Sequence, residues 1–270
     1  MRVDELKRIA NAIRQRVIEL SHSAGTPHLG SSLSCIDILT ALYWSVLRID
    51  PNKADDPLRD RFVLSKGHAA LALYVALCKR GFFGEEILAT YNRDGGRLAE
   101  HPGPNCVPGV EAATGSLGHG LPLGIGMALA ARIQKRDSHV FVLMSDGECN
   151  EGSVWEGALL APALKLDNLT AFIDYNKWQA TARSDETTAL APLRQKWEAF
   201  GWHAVEVNGH DFGELLRAAK APAVPGRPTM VVCHTVKGRG VSFMEDDNNW
   251  HYRIPTADEV RKAAEELQVA

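Results

Sequence analysis

Residues His139–Asn176 read HVFVLMSDGECNEGSVWEGALLAPALKLDNLTAFIDYN, and their pattern decides the fold. The apolar run His139–Met144 predicts a buried strand that stops at Ser145-Asp146-Gly147. A second run, Leu169–Tyr175, predicts another that stops at Asn176. Between them lies a segment of helical character, with Ser153 and Glu156 in capping-box spacing. Strand, helix and strand over about thirty residues have the length of one βαβ unit. Parallel strands joined in this way end on the same edge, so Asp146 and Asn176 are expected as near neighbours there. Open α/β sheets bind their ligands at that edge.

A carboxylate and an amide oxygen, with Gly147 admitting close backbone approach, suit a hard cation such as Mg2+. Magnesium takes few protein oxygens and completes its octahedron with water and phosphate. The same residues also suit plainer duties, Asp146 as a helix cap and Asn176 as the close of a strand. Spacing alone leaves both readings open.

On the N-terminal side, Val3, Leu6, Ala10, Ile13, Val17 and Leu20 recur at helical steps and predict an amphipathic helix. The stretch SHSAGTPHLGSSLS that follows is expected as a loop, and Ser34 as the cap of a helix over residues 35–47. Arg61–Ser65 predicts a short strand ending in Lys66-Gly67-His68, before an apolar helix. Residues 92–117 are rich in Gly, Pro, His and Asn with little periodicity, a length of loop that in a compact domain is usually functional. They lead through Gly115-Ser116-Leu117-Gly118-His119-Gly120 into another apolar helix. A glycine-rich turn opening a helix offers free N–H groups and the positive end of a dipole to a phosphate, although such turns also serve close packing.

On the C-terminal side, residues 177–192 are a polar excursion and Leu193–Phe200 a helix. Trp202–Val207 and Thr229–Val236 predict two further strands, with a helix near Asp211–Lys220 between them. The last strand runs into Lys237-Gly238-Arg239-Gly240. Thr256–Leu267 is a closing helix with Thr256 and Glu259 in capping-box register. Five strands separated by helices predict an α/β fold, a doubly wound and mostly parallel sheet.

The chain has 270 residues, 45% of them hydrophobic, and a net charge of −3, which offers no electrostatic case for nucleic acid or anionic membrane. Cys35, Cys78, Cys106, Cys149 and Cys233 are scattered with no CxxC pair, which argues against zinc or a disulfide framework and for a reducing compartment. No apolar run approaches membrane-spanning length and the N-terminus is charged rather than signal-like, so the expected location is cytoplasmic. Several of the ten histidines, among them His28, His68, His101, His119 and His251, sit beside glycine or proline near predicted strand edges. Histidine is the natural proton shuttle near neutral pH.

The stretch from Asp146-Gly147 to Asn176 resembles the thiamine diphosphate motif, with Ser145 in place of its usual first glycine. In that motif the Asp, the Asn and a carbonyl two residues further on hold Mg2+, which implies Asp146, Asn176 and the carbonyl of Trp178. The resemblance covers nearly the whole chain. His28-Leu29-Gly30-Ser31-Ser32, Leu64-Ser65-Lys66-Gly67-His68-Ala69, His101-Pro102, and Pro108-Gly109-Val110-Glu111-Ala112 through Gly120 are matching stretches. So are Asn150–Glu156, Lys165–Leu169, Asp174–Asn176, His234–Val241, Phe243–Glu245 and Trp250-His251. They are similar to the diphosphate-binding half of transketolases, above all to the shorter subunit of split, two-chain transketolases.

The resemblance implies cofactor contacts at His68, Gly115, Ser116, Leu117, Gly147, Asn176 and Lys237. It implies that His28, His101 and His251 face sugar hydroxyls and assist proton transfer, with Gly25-Thr26-Pro27 ahead of His28 and Trp250 and Tyr252 flanking His251 as departures from the usual pattern. Glu151 and Glu156 match glutamates at the family's subunit interface; first-turn helix acids are their plainer reading. The cofactors implied are thiamine diphosphate and Mg2+, and the activity is transfer of a two-carbon ketol unit between sugars or sugar phosphates. Residues 1–270 are expected as one diphosphate-binding domain. The glutamate that the chemistry needs at the pyrimidine ring is expected on a partner subunit with the pyrimidine-binding domain, in an α2β2 assembly. Another thiamine-dependent ligase or dehydrogenase, and a non-catalytic cofactor-binding paralogue, stand as alternatives.

Overall fold

The computed structural model describes residues 1–268. The chain opens with α1 (Val3–Ala24), α2 (Leu29–Ser34) and α3 (Ile36–Ala41), the last widening into a π-helical turn over Leu42–Val46. Strand β1 (Arg61–Leu64) leads to α4 (Ala70–Arg80) and the short α5 (Glu85–Leu88). After the long loop come α6 (Gly120–Ile133), β2 (Val140–Ser145), α7 (Gly152–Ala163) and β3 (Leu169–Tyr175). The remainder is α8 (Ser184–Thr187), α9 (Leu193–Ala199), β4 (His203–Asn208), α10 (Phe212–Ala219), β5 (Thr229–His234) and α11 (Ala257–Gln268).

The five strands form one sheet in the order β1-β2-β3-β5-β4, with every pair parallel. A parallel sheet needs helices on both faces, and its central strands are therefore mostly apolar, with Thr170 and Asp174 of β3 and Ser145 of β2 as buried polar exceptions. Strands β2 and β3 are buried at every position. Phe141, Leu143 and Phe172 point into a core shared with α1, α3, α4 and α10. Val140, Val142, Met144, Ala171 and Ile173 point into the other, shared with α6, α7 and α9. Each fully buried Leu, Ile or Phe contributes about 1.5–3 kcal/mol through its burial. Among the described residues no helix is long and apolar enough to cross a membrane.

Local signals set most boundaries. Helix α1 buries Leu6, Ala10, Ile13 and Val17 on one face and carries Asp4 and Glu5 at its positive end. It stops at Gly25, whose φ of 64° lets its N–H turn back to the carbonyls of Ser21 and His22. The Thr256–Glu259 capping box forms in both directions ahead of α11.

Three local expectations fail for one physical reason, the pull of distant partners. The stretch expected as a loop over residues 21–34 contains α2, because Leu29 and Leu33 are drawn into the core. Ser34 does not cap the next helix; it ends α2, and its Oγ donates to the buried Asp174 Oδ2 at 2.6 Å. Ser153 does not cap α7 either, since its Oγ donates to the carbonyl of Gly118 at 2.9 Å. The long loop has no regular element between Leu88 and Gly120, yet Leu98, Val107 and Val110 anchor it in the core.

Candidate active site

In the parallel register Ser145 stands beside Asp174, so β2 and β3 deliver Asp146 and Asn176 to the same edge. The chain then wraps around Asp146. Lys177 takes a left-handed φ of 70°, and its N–H donates to Asp146 Oδ2 at 2.8 Å. Ser184 Oγ donates to the same oxygen at 2.7 Å, and the Gly147 N–H donates to Oδ1 at 2.9 Å. The side chain of Trp178 is pinned by Asp246 and stacked under the Arg183 guanidinium, which fixes the backbone of this turn.

Asn176 turns its amide nitrogen to Ser34 Oγ and Asp174 Oδ2, and its Oδ1 accepts from the Trp178 N–H at 3.1 Å. Beneath it, Asp174 gathers Ser34, Thr235 and the ammonium of Lys66.

This donor set fits a divalent cation. Asp146 is wholly buried, burial pushes its carboxyl up to about 7, and among the described residues no cationic side chain pairs with it. A carboxylate offers about four acceptor positions, and three of them are taken here. No hydrogen bond reaches the carbonyl of Trp178 among the described residues. Nor, among those residues, do three His, Cys, Asp or Glu side chains cluster as a metal site. The set is therefore one carboxylate, one amide oxygen and one carbonyl, which suits Mg2+ and not zinc.

The turn Gly115–Gly120 lies against the end of β1. Thr114 Oγ1 donates to the Leu64 carbonyl at 2.6 Å, and a Cβ on Gly120 would lie 2.3 Å from Ser65 Oγ. Gly115 and Ser116 are exposed and Leu117 half-buried, so the backbone of the turn is open to a ligand. Gly147 begins a 3-10 turn at the neighbouring strand end.

Four imidazoles converge on this edge. The His28 ring lies 5.4 Å from His68, 6.0 Å from His101 and 4.8 Å from His251. Burial holds His28 below the ordinary imidazole value and His68 well below it. Burial, with Lys237 and His28 nearby, lowers His251 to about 3. His28, His68 and His251 are therefore neutral at physiological pH. Lys237, itself lowered to about 8 by burial, donates to Asn248 Oδ1 at 2.6 Å and lies 3.2 Å from His251 Nδ1. Its stem is admitted by Gly30, where a Cβ would lie 3.0 Å from Lys237 Cγ.

All the residues expected of the cofactor, metal and proton-transfer sets thus fall on one edge. Glu151 and Glu156 lie apart from the rings, exposed at the start of α7. Lys66, Asp174, Ser184, Asn248 and Glu100 also belong to this edge, and the sequence alone pointed to no role for them. For Lys66 and Asp174 a signal existed, because charged residues inside or ending buried strands must find partners.

Residues 5–269 match the family model described as transketolase, thiamine diphosphate binding domain. The chain belongs to the transketolase family. It is 41% identical over 268 residues to one of the subunits of apulose-4-phosphate transketolase from Phocaeicola vulgatus, covering 99% of this chain and 95% of that one. It is 40% identical over 265 residues to 6-deoxy-6-sulfo-D-fructose transketolase subunit SqwG of a Clostridium species, covering 98% and 96%. The crystal structure of transketolase from Campylobacter jejuni superposes with a TM-score of 0.94 at 27% identity, covering 99% of this chain and 43% of that one. This transketolase chain has the thiamine diphosphate-binding domain, and ketol transfer is the chemistry of its family.

Proposed function

We propose that this chain is the diphosphate-binding subunit, in a single domain, of a two-chain transketolase that moves a two-carbon ketol unit from a ketose to an aldose. The observation that carries the reading is the convergence of four imidazoles on the edge that also holds Asp146 and Asn176. Asp146, Asn176 and the Trp178 carbonyl would hold Mg2+, and Gly115, Ser116, Leu117 and Gly147 would present backbone to the diphosphate, with His68 and Lys237 beside it. Bound thiamine diphosphate supplies the carbon nucleophile and the electron sink that ketol transfer requires.

The protein's own part is to hold the sugar and move its protons. An ammonium can only donate, so His251 Nδ1 accepts from Lys237 and the ring keeps its proton on Nε2, ready to donate to a substrate oxygen. His28 Nε2 lies 3.2 Å from Glu100 Oε1, and a carboxylate only accepts, which favours the tautomer with the proton on that nitrogen. That tautomer leaves the lone pair on Nδ1, a buried atom with no hydrogen-bond partner among the described residues. His101 faces the same space 6.0 Å away.

The pyrimidine side is assigned to a partner subunit in an α2β2 assembly. Two relatives matched almost end to end are named as subunits, which supports this reading. So does the outer face of α7, where Leu159 and Leu160 are exposed three and four residues on from the exposed Glu156, on the same side of the helix. An exposed apolar face of this kind marks an interaction site. Ketoses with an anionic group, as in the names of those two relatives, are the substrate class we assign. Mixing the purified chain with a polypeptide carrying the pyrimidine-binding domain tests the proposal. Ketol transfer is expected to appear on mixing and to saturate near one-to-one, and robust transfer by the single chain would overturn the two-chain reading.

A further inference from the structure

Glu148 is wholly buried two residues beyond Asp146, and no step of the ketol transfer uses it. Its carboxylate joins three parts of the site. Oε1 accepts from the Gly118 N–H at 2.9 Å and from Ser65 Oγ, at the end of β1. Oε2 accepts from the Ser145 N–H at 3.2 Å, at the end of β2. The carbonyl of the same Gly118 is held from the other side by Ser153 Oγ at 2.9 Å. Both polar groups of one glycine are therefore gripped by side chains from the segment that follows Asp146. Gly118 has φ of 82°, and a Cβ there would lie 2.4 Å from Ser153 Oγ and 2.7 Å from Glu151 Cβ. Its conformation and its close approach both require glycine.

We propose that Glu148 and Ser153 are positioning residues that clamp Gly118 and so fix the Gly115–Leu117 turn relative to Asp146. The inference rests on the reading of that turn as the diphosphate site. A turn free to shift by an ångström would misplace its backbone N–H groups against a diphosphate held elsewhere by the metal, and both attachments would weaken. A carboxylate is suited to the task because it accepts from three donors at once, from both strand ends and the turn. Burying it carries a desolvation cost, which burial expresses here by raising its carboxyl above the ordinary value.

Reach, and not charge, is what the site needs from Glu148. Glu148→Gln keeps an oxygen in place for Gly118 and Ser65, losing only the Ser145 contact. Glu148→Asp keeps the charge but is one methylene too short for Gly118. Ser153→Ala releases the carbonyl side of the clamp from a half-buried position at the start of α7.

Thiamine diphosphate would be titrated calorimetrically, with Mg2+ present, into the full chain assembled with its partner subunit, and thermal unfolding would be followed in parallel. The dissociation constant is expected to rise about 10–100-fold in Glu148→Asp, the range for lost supporting contacts at such sites. Ser153→Ala is expected to weaken binding several-fold at an unchanged melting temperature, and Glu148→Gln to stay close to wild type. If Glu148→Asp binds as wild type, or binds better than Glu148→Gln, the charge is what matters and the proposal is overturned. Should Glu148→Asp fail to fold, wild-type affinity in Ser153→Ala overturns it instead. A wild-type complex that binds no thiamine diphosphate would overturn the functional reading itself, and this inference with it.

Discussion

The ammonium of Lys66 donates to Asp174 Oδ2 with both side chains fully buried, directly beneath the edge that carries Asp146 and Asn176. Burial opposes the charge on each group. Their mutual attraction nevertheless holds Asp174 below the ordinary carboxylate range and Lys66 above the ordinary ammonium value. The pair also orients Asn176, whose amide nitrogen faces the same carboxylate oxygen.

Removing one partner leaves an uncompensated buried charge, which costs about 3–5 kcal/mol. Lys66→Met is expected to lose that much in urea denaturation. Combined with Asp174→Asn, it should lose less than the sum of the two single variants. Additive losses would show that the two groups do not act as a pair.

Asp146→Ala removes the only carboxylate of the proposed metal set. Binding of thiamine diphosphate in calorimetric titration should lose its dependence on Mg2+, while circular dichroism stays that of the folded chain. Unchanged cofactor affinity would refute the assignment.

His101→Ala and His251→Ala should each lower turnover of the assembled enzyme by about 10²–10⁴-fold, the usual range for a group that moves a proton. Cofactor affinity should change little. Near-wild-type turnover in both would make the two rings bystanders.

Asp37 sets a stability window in acid. Burial alone would raise its carboxyl, but Arg14 and His210 outweigh it and hold it at about 2 against an ordinary 3.8. Arg14 and His210 Nδ1 both bond to Asp37 Oδ2, at 2.6 and 2.7 Å. A carboxyl lowered in the folded state stabilises fully above its unfolded value, and the benefit fades as pH falls through the folded one. About 2 kcal/mol should therefore disappear between roughly pH 4 and pH 2. Asp37→Asn should flatten that part of the stability curve.

Leu159→Asp and Leu160→Asp place charges on side chains that are 61% and 49% exposed. Exposed substitutions change stability by about 0.5 kcal/mol or less, so the melting temperature should hardly move. Assembly with the partner, followed by sedimentation, should weaken strongly. Intact assembly in both would place the partner on another face.

The strands, their two-sided burial and the ends at which chemistry collects were all legible from residue order. Apolar runs of strand length, broken by Asp146-Gly147 and Asn176, report on neighbours a few residues away, and such signals survive in a single chain. That β2 and β3 run parallel and end on the same edge followed from the βαβ length, while their residue register came from the structure. Side-chain partners were another matter, and they emerged only once the chain was folded. Ser34 and Ser153 carry the local marks of caps, but Asp174 lies 140 residues from Ser34 and the Gly118 carbonyl 35 from Ser153. A buried acceptor competes better for a hydroxyl than a helix end open to water, and which acceptor is buried beside which hydroxyl depends on the order of the strands. His28 and His251 meet at 4.8 Å for the same reason. Sheet order β1-β2-β3-β5-β4 folds the two ends of the chain onto one edge, and no local pattern encodes that distance.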